Sequence, residues 1–333
     1  MKFIGDVVLT TPVIRAVREK FPSAYIAFLG DKQAVSLLEH NPYIDEIIPF
    51  DFSRPTVVEQ PRVIWRLRKR KFDVFVDLFS NPRTALLARA SGAPMRIGKA
   101  VGGRGKLYTH QVRDNGQSKP AIAFHYQYVS PLGVEPVHWK TQIFLTEDEN
   151  REAGNYLKWQ GVDPAKPIVG LHPGATWPAK RWEWEKFSDL VDLLRAKLNV
   201  NVVLTQGPKE RELVEKISHR AAANLLVLPL MNLRQLAAVI SQFAAYVSND
   251  AAPMHIGPAV GTKTIGIFGP GEDDIWFPYN REEGHSALRR NVSCHPCHLD
   301  FCNREREEYM ECMKLLSVQD VFEEVRKRVG DPG

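Results

Sequence analysis

The chain has 333 residues, of which 44% are hydrophobic and 25% charged, which is long enough for two domains with separate cores and ordinary for a globular protein. No apolar run approaches the ~18 residues of a membrane span, and the N-terminus lacks the basic start and apolar stretch of a signal peptide. We therefore expect a cytoplasmic protein.

The formal net charge of +5 is concentrated in the first half. Residues 1–150 contain 21 Lys and Arg against 15 Asp and Glu, and the rest of the chain is nearly balanced. A solvated helix face explains such an excess, and so does an anionic partner, either a phosphorylated acceptor or a membrane surface. Nucleic acid fits less well, because stacking aromatics do not alternate with the basic residues. The candidate acceptor-binding residues are Arg62, Arg66, Arg96 and Lys99.

Strand-like and helix-like segments alternate along the first half. This alternation predicts a parallel sheet with helices on both faces. Only two residues precede the loop Phe3–Asp6, although a first strand is expected there. Either that strand is absent, or the chain begins later than its relatives do. The predicted strands are 24–30, 44–50, 72–79 and 96–98, and the predicted helices are 12–20, 32–40, 62–70, 82–91 and one from about 120.

The second half repeats the pattern after a proline-rich polar segment at 163–167, which is typical of a domain boundary. We predict an N-terminal domain over 1–160, a C-terminal domain over 161–316, and a helical segment over 317–333 that packs back toward the N-terminal domain. Paired doubly wound domains bind ligands at the carboxyl ends of their strands, which face a shared cleft.

The first segment with recognisable chemistry joins a strand to a helix start through small residues. Pro253 is suited to the first helical position, where free N–H groups bind anions such as a diphosphate. Ala251 and Ala252 let a phosphate approach the backbone. His255 can donate to a phosphate oxygen, and Asp250 can accept from an N–H or a ribose hydroxyl. A helix capped by Asp250, with His255 packed beneath it, explains the same spacing.

The second segment is the loop Gly170–Trp182, which also follows a strand. Lys180 could place an ammonium on the same diphosphate, where charge builds on the leaving oxygen. Surface solvation is the alternative for Lys180 and Arg181, and packing between loop and helix is the preferred interpretation of Trp182.

The third segment places Asp6 just after a glycine at a strand-to-helix turn. A carboxylate at such a turn could act as the general base toward an acceptor hydroxyl. Capping of the helix is the commoner role for an aspartate there, and the local sequence does not separate the two.

All four cysteines fall in one short stretch with the spacing C-x2-C-x4-C-x9-C. In a cytosolic chain such clustering indicates metal binding or thiol chemistry more often than disulfides. Four thiolates would close a tetrahedral zinc site, but the spacing matches no common zinc pattern, and the short gaps could equally hold two disulfides. The residues concerned are Cys294, Cys297, Cys302 and Cys312.

Four segments in this order resemble glycosyltransferase family 9, the heptosyltransferases that build the inner core of lipopolysaccharide. They are Gly5–Pro12, Asn41–Asp45, His172–Trp182 and Ser248–His255, and the resemblance extends over essentially the whole chain.

The resemblance implies an α/β GT-B fold, in which two doubly wound, Rossmann-like domains face a cleft, with the acceptor on the first and the nucleotide sugar on the second. It implies an inverting transfer from ADP-L-glycero-D-manno-heptose without an obligatory metal. By the same resemblance Asp6 is the general base, and Lys180 is the cation on the diphosphate. The implied donor-binding residues are Thr176, Lys180, Glu210 for the ribose, Met231 for the adenine, Asp250, Ala251, Ala252 and His255.

The chain departs from the family in two places. The family has Ser or Thr followed by Gly where this chain has Ala251 and Ala252, so a hydroxyl contact is lost while the backbone donors remain. The family also has a complete strand before the loop that contains Asp6, and a mis-assigned start is our hypothesis for its absence.

Two other functions remain open at this stage. An NDP-sugar epimerase or hydrolase could be built from two such domains, but would not need the basic surface. A non-enzymatic nucleotide-sugar-binding or metal-binding protein could be organised around the cysteines. The transferase accounts for the basic first half, since its lipid-linked acceptor is anionic and lies at the inner face of the inner membrane.

Overall fold

In the computed structural model, which describes residues 1–113, 120–221 and 225–330, the chain divides into two units at Thr141–Gln142. The sequence placed this boundary about twenty residues later, at 160. The difference arises from the helix Glu147–Trp159, which belongs to the second unit. The Arg234 guanidinium bonds the Glu149 carboxylate with Nη2 at 2.6 Å from Oε2, and this ion pair lowers the pKa of Glu149 to about 2.

The first unit contains five helices and five short strands among its described residues. Several segments depart from prediction. Phe3–Asp6, expected as a loop, lies mostly within a helix over Ile4–Leu9, and the helix expected at 32–40 is a single 3₁₀ segment, Ala34–Leu38. The helix predicted at 62–70 begins earlier, at Thr56, and the strand predicted at 72–79 spans only Val74–Val76. The strands are β1 (Ala27–Asp31), β2 (Glu46–Phe50), β3 (Val74–Val76), β4 (Met95–Lys99) and β5 (His110–Val112), and the helices are α1 (Ile4–Leu9), α2 (Thr11–Lys20), α3 (Thr56–Arg70), α4 (Pro82–Ser91) and α5 (Ala121–Val129).

The strands of the first unit form two separate parallel sheets, β1-β2 and β3-β4-β5. Beside β1 lies Met1, whose amino group donates to the Leu29 carbonyl at 3.1 Å and whose carbonyl accepts from the Asp31 N–H at 2.8 Å. These two bonds follow the pattern of a parallel bridge. Met1 therefore occupies one rung of a strand position next to β1.

The second unit contains one continuous sheet in the order β11-β10-β9-β6-β7-β8, with every pair parallel. This arrangement confirms the predicted doubly wound architecture of that half. The strands are β6 (Ile168–His172), β7 (Asn201–Leu204), β8 (Leu226–Val227), β9 (Ala245–Asn249), β10 (Lys263–Ile267) and β11 (Ser286–Leu288). The helices are α6 (Glu147–Trp159), α7 (Trp184–Lys197), α8 (Arg211–Arg220), α9 (Leu233–Ile240), α10 (Pro253–Ala259), α11 (Asp273–Trp276), α12 (Glu311–Lys314) and α13 (Val318–Val329).

The core of the second unit explains why its central strands are apolar on both faces. Val169 of β6 and Val247 of β9 are fully buried, and Trp182 packs into the same core with its indole N–H on the Leu316 carbonyl at 3.1 Å. The preferred interpretation of Trp182 as a packing residue is confirmed.

The C-terminal helix α13 begins as predicted, with a reciprocal capping box between Ser317 and Asp320. Val321 and Val325 are fully buried in the core of the second unit, where the helix contacts α7, β9 and β10. The predicted packing of this helix toward the N-terminal domain stays a prediction. Residues 331–333 of the predicted segment lie outside the described residues.

Across the described ranges, every helix is too short or too polar to span a lipid bilayer.

Candidate functional site

The loops after three adjacent strands of the second unit meet at the carboxyl edge of its sheet. Lys180 follows β6, Asp250 follows β9 and Gly271 follows β10. The strand order reverses between β6 and β9, because β7 and β8 lie on one side of β6 while β9, β10 and β11 lie on the other. Such a switch point is where open parallel sheets bind ligands.

Lys180 and Asp250 form an ion pair at this edge, with Nζ 2.6 Å from Oδ2. Lys180 ends the 3₁₀ turn Pro178–Lys180, and its ammonium also lies over the Trp177 ring, 4.6 Å from the centroid. Arg181 stabilises this loop, because its Nε donates to the Ala175 carbonyl at 2.8 Å. Arg181 thus has a structural contact rather than the solvated position that the sequence suggested.

The Asp250 carboxylate is buried, and burial raises its pKa while the Lys180 ammonium offsets part of that rise. Space around the pair is limited by Gly271, where a Cβ would lie 2.7 Å from Oδ2 of Asp250. Only glycine fits there without moving the carboxylate. The pair is therefore a fixed, partly desolvated group of charges.

His255 lies one turn into α10 and is buried. Burial, helped by the charge of Lys180, lowers its pKa to about 4, so the imidazole is neutral near pH 7. Its Nδ1 is 2.8 Å from the Tyr279 hydroxyl. If that hydroxyl donates, the ring proton is on Nε2, where it can be given to an anion.

The helix start predicted at Pro253 is confirmed, and α10 begins there without a side-chain cap. The N–H groups of Met254 and His255 bond the carbonyls of Ala251 and Ala252. Within the described chain, the N–H groups of Ala251 and Ala252 themselves have no recorded partner. Asp250 does not cap this helix, so the purely structural explanation of the motif is weakened.

Glu210 belongs to a second polar group at the same edge. Its Oε2 accepts from the Gly207 N–H at 2.6 Å and lies 3.5 Å from Nε2 of the buried His172. On the other side of the ring, His172 Nδ1 is 3.0 Å from the Thr205 hydroxyl, which is 2.9 Å from the hydroxyl of Tyr246. Burial lowers the pKa of His172. A neutral histidine thus links the Glu210 carboxylate to the end of β7 and, through Thr205, to Tyr246 in β9.

Gly174 explains how tightly Glu210 is placed. A Cβ on Gly174 would lie 1.9 Å from the Glu210 carboxylate, so any side chain there would displace it. Thr176 is exposed in the same loop, and Met231 is half-buried after β8. Among the described residues neither Thr176 nor Met231 has a recorded side-chain contact with Lys180, Asp250 or Glu210.

Asp6 lies in the first turn of α1, in the first unit. The residue that precedes the helix is Phe3, and no side chain caps it, so Asp6 does not have the capping role that its local sequence allowed. Burial raises the pKa of Asp6 to about 6, and the Met1 ammonium opposes that rise. A carboxylate poised near neutral pH suits a general base.

The predicted acceptor-binding arginines Arg62 and Arg66 have partners inside the first unit. Arg62 Nε donates to the buried Glu59 carboxylate at 2.8 Å, and Arg66 Nη2 donates to Glu46 at 2.9 Å. Glu59 in turn accepts from the Asp51 N–H, which connects α3 to the end of β2. Acceptor binding by these two arginines remains a prediction.

Arg96 and Lys99 lie at the two ends of β4. The Arg96 guanidinium donates to the carbonyls of Ala93 and Leu107 at 2.6 and 3.0 Å, which are structural contacts. The Lys99 ammonium lies over the Phe124 ring, 5.4 Å from the centroid.

The four cysteines are unpaired thiols and half-buried. Three lie between the end of β11 and α12, and Cys312 lies within α12. Burial, together with the electrostatic effect of the other three cysteines, raises the pKa of Cys312 to about 11. Cys302 Sγ accepts from the Met310 N–H at 3.3 Å. Over residues 1–113, 120–221 and 225–330 no three His, Cys, Asp or Glu side chains are close enough to hold a metal ion.

The residues that sequence reasoning missed share one feature, because each becomes a neighbour of the site only through the sheet. His172 belongs to the family-like segment His172–Trp182, and its position at the last residue of β6, directly before the Lys180 loop, is a signal that points to the site. Tyr279 and Gly271 follow β10 and had no local pattern to mark them.

Comparison with known proteins identifies one family. The model of glycosyltransferase family 9 (heptosyltransferase) matches residues 61–306. The lipopolysaccharide heptosyltransferase 3 of Escherichia coli is 28% identical over 298 residues, which cover 84% of this chain and 85% of that protein.

Two solved structures resemble the whole chain. A family 9 glycosyl transferase from Veillonella parvula has a TM-score of 0.86 and 23% identity, and covers 98% of this chain and 95% of its own. The ADP-heptose lps heptosyltransferase II of E. coli has a TM-score of 0.80 and 22% identity, and the match covers 99% of this chain and 96% of that one. These similarities confirm the predicted GT-B fold.

Proposed function

Because the chain belongs to glycosyltransferase family 9, we propose that it transfers a heptosyl group from ADP-L-glycero-D-manno-heptose to the inner core of lipopolysaccharide, with inversion at the anomeric carbon. The E. coli relatives are named for heptose transfer to lipopolysaccharide, and one is named for an ADP-heptose donor. The observation that carries the proposal is the group of Lys180, Asp250 and His255 at the switch point of the second unit.

The donor diphosphate would bind beside Lys180. The ammonium supplies positive charge, the free N–H groups of Ala251 and Ala252 supply backbone donors, and neutral His255 supplies one ring N–H. No hydroxyl side chain is needed in this arrangement, which explains how the chain tolerates alanines where its family has Ser or Thr followed by Gly. Asp250 holds Lys180 in place before the donor arrives.

The adenosine half would extend toward Glu210. The Glu210 carboxylate, which is fixed by the Gly207 N–H and lies next to His172, can accept a hydrogen bond from a ribose hydroxyl. Met231 follows β8, which lies on the same side of β6 as β7, the strand that precedes Glu210. Thr176 in the Lys180 loop is the remaining polar candidate for a phosphate contact.

In the proposed reaction, Asp6 removes the proton of an acceptor hydroxyl as that oxygen forms a bond to the anomeric carbon. The bond from the anomeric carbon to the β-phosphate oxygen breaks, and ADP leaves with the electron pair. Lys180 and the backbone donors stabilise the charge that develops on the leaving oxygen. The proton is then on Asp6, whose pKa of about 6 allows it to be released to water near pH 7.

We further propose that α3 contacts an anionic membrane surface. Its buried face contains Val63 and Leu67, yet Val57 and Trp65 are 82% and 63% exposed. Lys69 lies over the Trp65 ring, and the helix ends in further basic residues. Exposed apolar side chains next to lysine and arginine are typical of helices that lie at a bilayer interface. This surface would bring a cytoplasmic enzyme to its lipid-linked acceptor.

The chemical step as proposed requires no metal, since Asp6 and Lys180 provide the base and the cation. A structural zinc at Cys294, Cys297, Cys302 and Cys312 remains a hypothesis, which rests on their clustering in the sequence. Metal analysis of protein purified without added metal tests for the structural zinc. Turnover measured after chelation tests whether the chemical step needs a metal. Loss of turnover on chelation, restored by a divalent ion, would contradict the metal-free chemistry.

A thermal-shift comparison of nucleotides tests the donor. We expect ADP to raise the melting temperature more than UDP or GDP at equal concentration, since a nucleotide that binds only the folded state stabilises it in proportion to its affinity. Turnover with ADP-heptose and a lipid-linked inner-core acceptor then tests the transfer. An equal response to all three nucleotides, without heptose transfer, would overturn the proposal.

A further inference from the structure

Asn249 is the last residue of β9 and is fully buried beside the loop from Pro173 to Trp182, which contains Lys180. Because β9 pairs with β6, its end lies next to the point where the chain leaves β6. The Asn249 amide uses both of its polar atoms there. Its Nδ2 donates to the Pro173 carbonyl at 2.7 Å, and its Oδ1 accepts from the Trp182 N–H at 3.1 Å. One side chain therefore joins the two ends of the Lys180 loop.

Between these ends the loop is held by further hydrogen bonds. The Lys180 N–H bonds the Trp177 carbonyl at 3.0 Å, and the Arg181 side chain bonds an earlier carbonyl of the same loop. The Ala179 N–H bonds the Asp300 carbonyl at 3.0 Å, which adds a contact outside the loop. A loop that is bonded internally moves as a unit, so the position of Lys180 depends on where the two ends are fixed.

Asn249 also directly precedes Asp250, the carboxylate that pairs with Lys180. The Asp250 N–H bonds the Ile267 carbonyl of β10 at 3.0 Å, so the sheet fixes the backbone of Asp250. The loop that contains the cation is thus attached, through Asn249, to the strand that leads to the anion. Because the Asn249 side chain is fully buried, it acts through the loop rather than on a ligand.

The two bonds of Asn249 require an amide, because one atom must donate and the other must accept. Aspartate has the same shape, but it would place a carboxylate oxygen against the Pro173 carbonyl. Leucine has a similar shape, but it would take away the partners of the Pro173 carbonyl and the Trp182 N–H. Loss of such partners is costly in a buried place, so either change frees the ends of the loop.

We propose that Asn249 is a positioning residue for the transfer, which holds the Lys180 loop so that the ammonium meets the β-phosphate of the donor. The inference rests on the proposed donor site and adds the residue that fixes the position of its cation. When Asn249 is replaced, the loop moves away from Asp250 and the β-phosphate loses its cation. The adenosine contacts, which lie toward Glu210, remain.

Asn201 provides a matched control at the other end of β6. It is the first residue of β7, and its Nδ2 donates to the carbonyls of Asp163 and Lys166 at 2.8 and 3.1 Å. Its Oδ1 accepts from the Asp163 N–H at 3.2 Å. Asn201 therefore joins the turn that enters β6, at the opposite edge of the sheet from Lys180. A purely structural loss affects variants of both asparagines, whereas an effect on Lys180 requires Asn249.

A double-mutant cycle, measured by urea unfolding, tests the position of Lys180 without a nucleotide. It compares Asn249→Leu, Lys180→Met and the two combined, and Asn201→Leu replaces Asn249→Leu in the control cycle. For independent changes, the losses in the folding equilibrium constant multiply. We expect the combined Asn249 variant to lose at least ~5-fold less than that product, and the Asn201 cycle to follow the product. Independent losses in both cycles would overturn the proposal. Asn249→Asp, which keeps the acceptor, is used if Asn249→Leu does not fold.

Calorimetry with ADP and AMP then tests the phosphate contact. We expect the preference for ADP over AMP to fall by about 10-fold or more in Asn249→Leu, because a contact with a charged group is lost, and to persist in Asn201→Leu. AMP, which lacks the β-phosphate, should bind both variants nearly as it binds the unmodified chain. An unchanged preference, or an equal loss of ADP and AMP affinity, would overturn the role of Asn249. An unmodified chain without the preference would instead contradict the proposed donor site, and the cycle without nucleotide would still decide the role of Asn249.

Discussion

Lys180 and Asp250, seventy positions apart in the sequence, form an ion pair with Nζ 2.6 Å from Oδ2, in which Asp250 is buried and Lys180 is partly exposed. Each residue arrives from the end of a different strand, and the sheet brings the two ends together. The pair gives the proposed donor site a cation whose position is fixed before a diphosphate binds. It also means that a change to either residue affects both stability and chemistry, which a double-mutant cycle can separate.

Lys180→Met should lower turnover by about 10²–10³-fold, because the cation at the leaving oxygen is lost. It should also lower the free energy of unfolding by about 3 kcal/mol, since Asp250 is left as an unpaired buried charge. The double variant Lys180→Met/Asp250→Asn should regain most of that stability while turnover stays low. Lys209→Met, at an exposed position, is the control. A double variant no more stable than the single one would show that the pair is not coupled.

Asp6→Asn should reduce turnover by at least ~10³-fold, because no base removes the acceptor proton. The thermal shift caused by ADP should stay unchanged, since the proposed donor groups all belong to the second unit. In the unmodified chain, kcat/KM should rise with pH up to about 6, the pKa of Asp6, and then level off. Substantial turnover by Asp6→Asn would rule out the base role.

Asp6 also predicts a pH dependence of stability. Its pKa is raised from 3.8 to about 6 on folding, so the folded state binds the proton more tightly than the unfolded state does. Ionisation therefore destabilises the fold as pH rises from about 4 through 6. Above pH 7, Asp6→Asn should be more stable than the unmodified chain by about 3 kcal/mol, since the pKa rises by about two units. The difference should vanish near pH 4, and urea unfolding at both pH values measures it.

Glu210 predicts a preference for the ribose hydroxyls. The unmodified chain should bind ADP about 10-fold or more tightly than its 2′-deoxy or 3′-deoxy analogue, and Glu210→Ala should lose this preference. His172→Phe should weaken the preference as well, because Glu210 loses the ring beside it. Glu215→Ala, exposed in the same helix, is the control. Calorimetry with the nucleotides gives the affinities, and unchanged discrimination in Glu210→Ala would place the ribose elsewhere.

Membrane binding should depend on the exposed face of α3. Trp65→Ser and Lys69→Glu should each weaken binding to vesicles that contain anionic lipid, by about 5-fold for the charge reversal, since each basic residue near such a surface contributes about 1 kcal/mol. Trp159→Ser and Lys158→Glu, exposed in the second unit, are matched controls. Vesicle co-sedimentation measures the effect, and equal losses in both pairs would contradict a specific role for α3.

Much of the architecture could be predicted because it depends on local periodicity. The helix at Pro82–Ser91 is predicted with its observed bounds, since proline starts it and glycine follows it. Asp6, Lys180 and Asp250 were identified from their positions after strands or turns. Their roles came from family resemblance, and those roles remain predictions.

Other features were decided only by the tertiary structure, because they depend on contacts between distant segments. The unit boundary moved to Thr141–Gln142 through the Arg234–Glu149 pair, and α13 was held to the second unit by the burial of Val321 and Val325. In the sequence, Arg62 and Arg66 cannot be distinguished from free surface charges. In the fold, each bonds a buried or half-buried carboxylate. Local composition specifies what a segment can form, whereas its partners are fixed by how the chain packs.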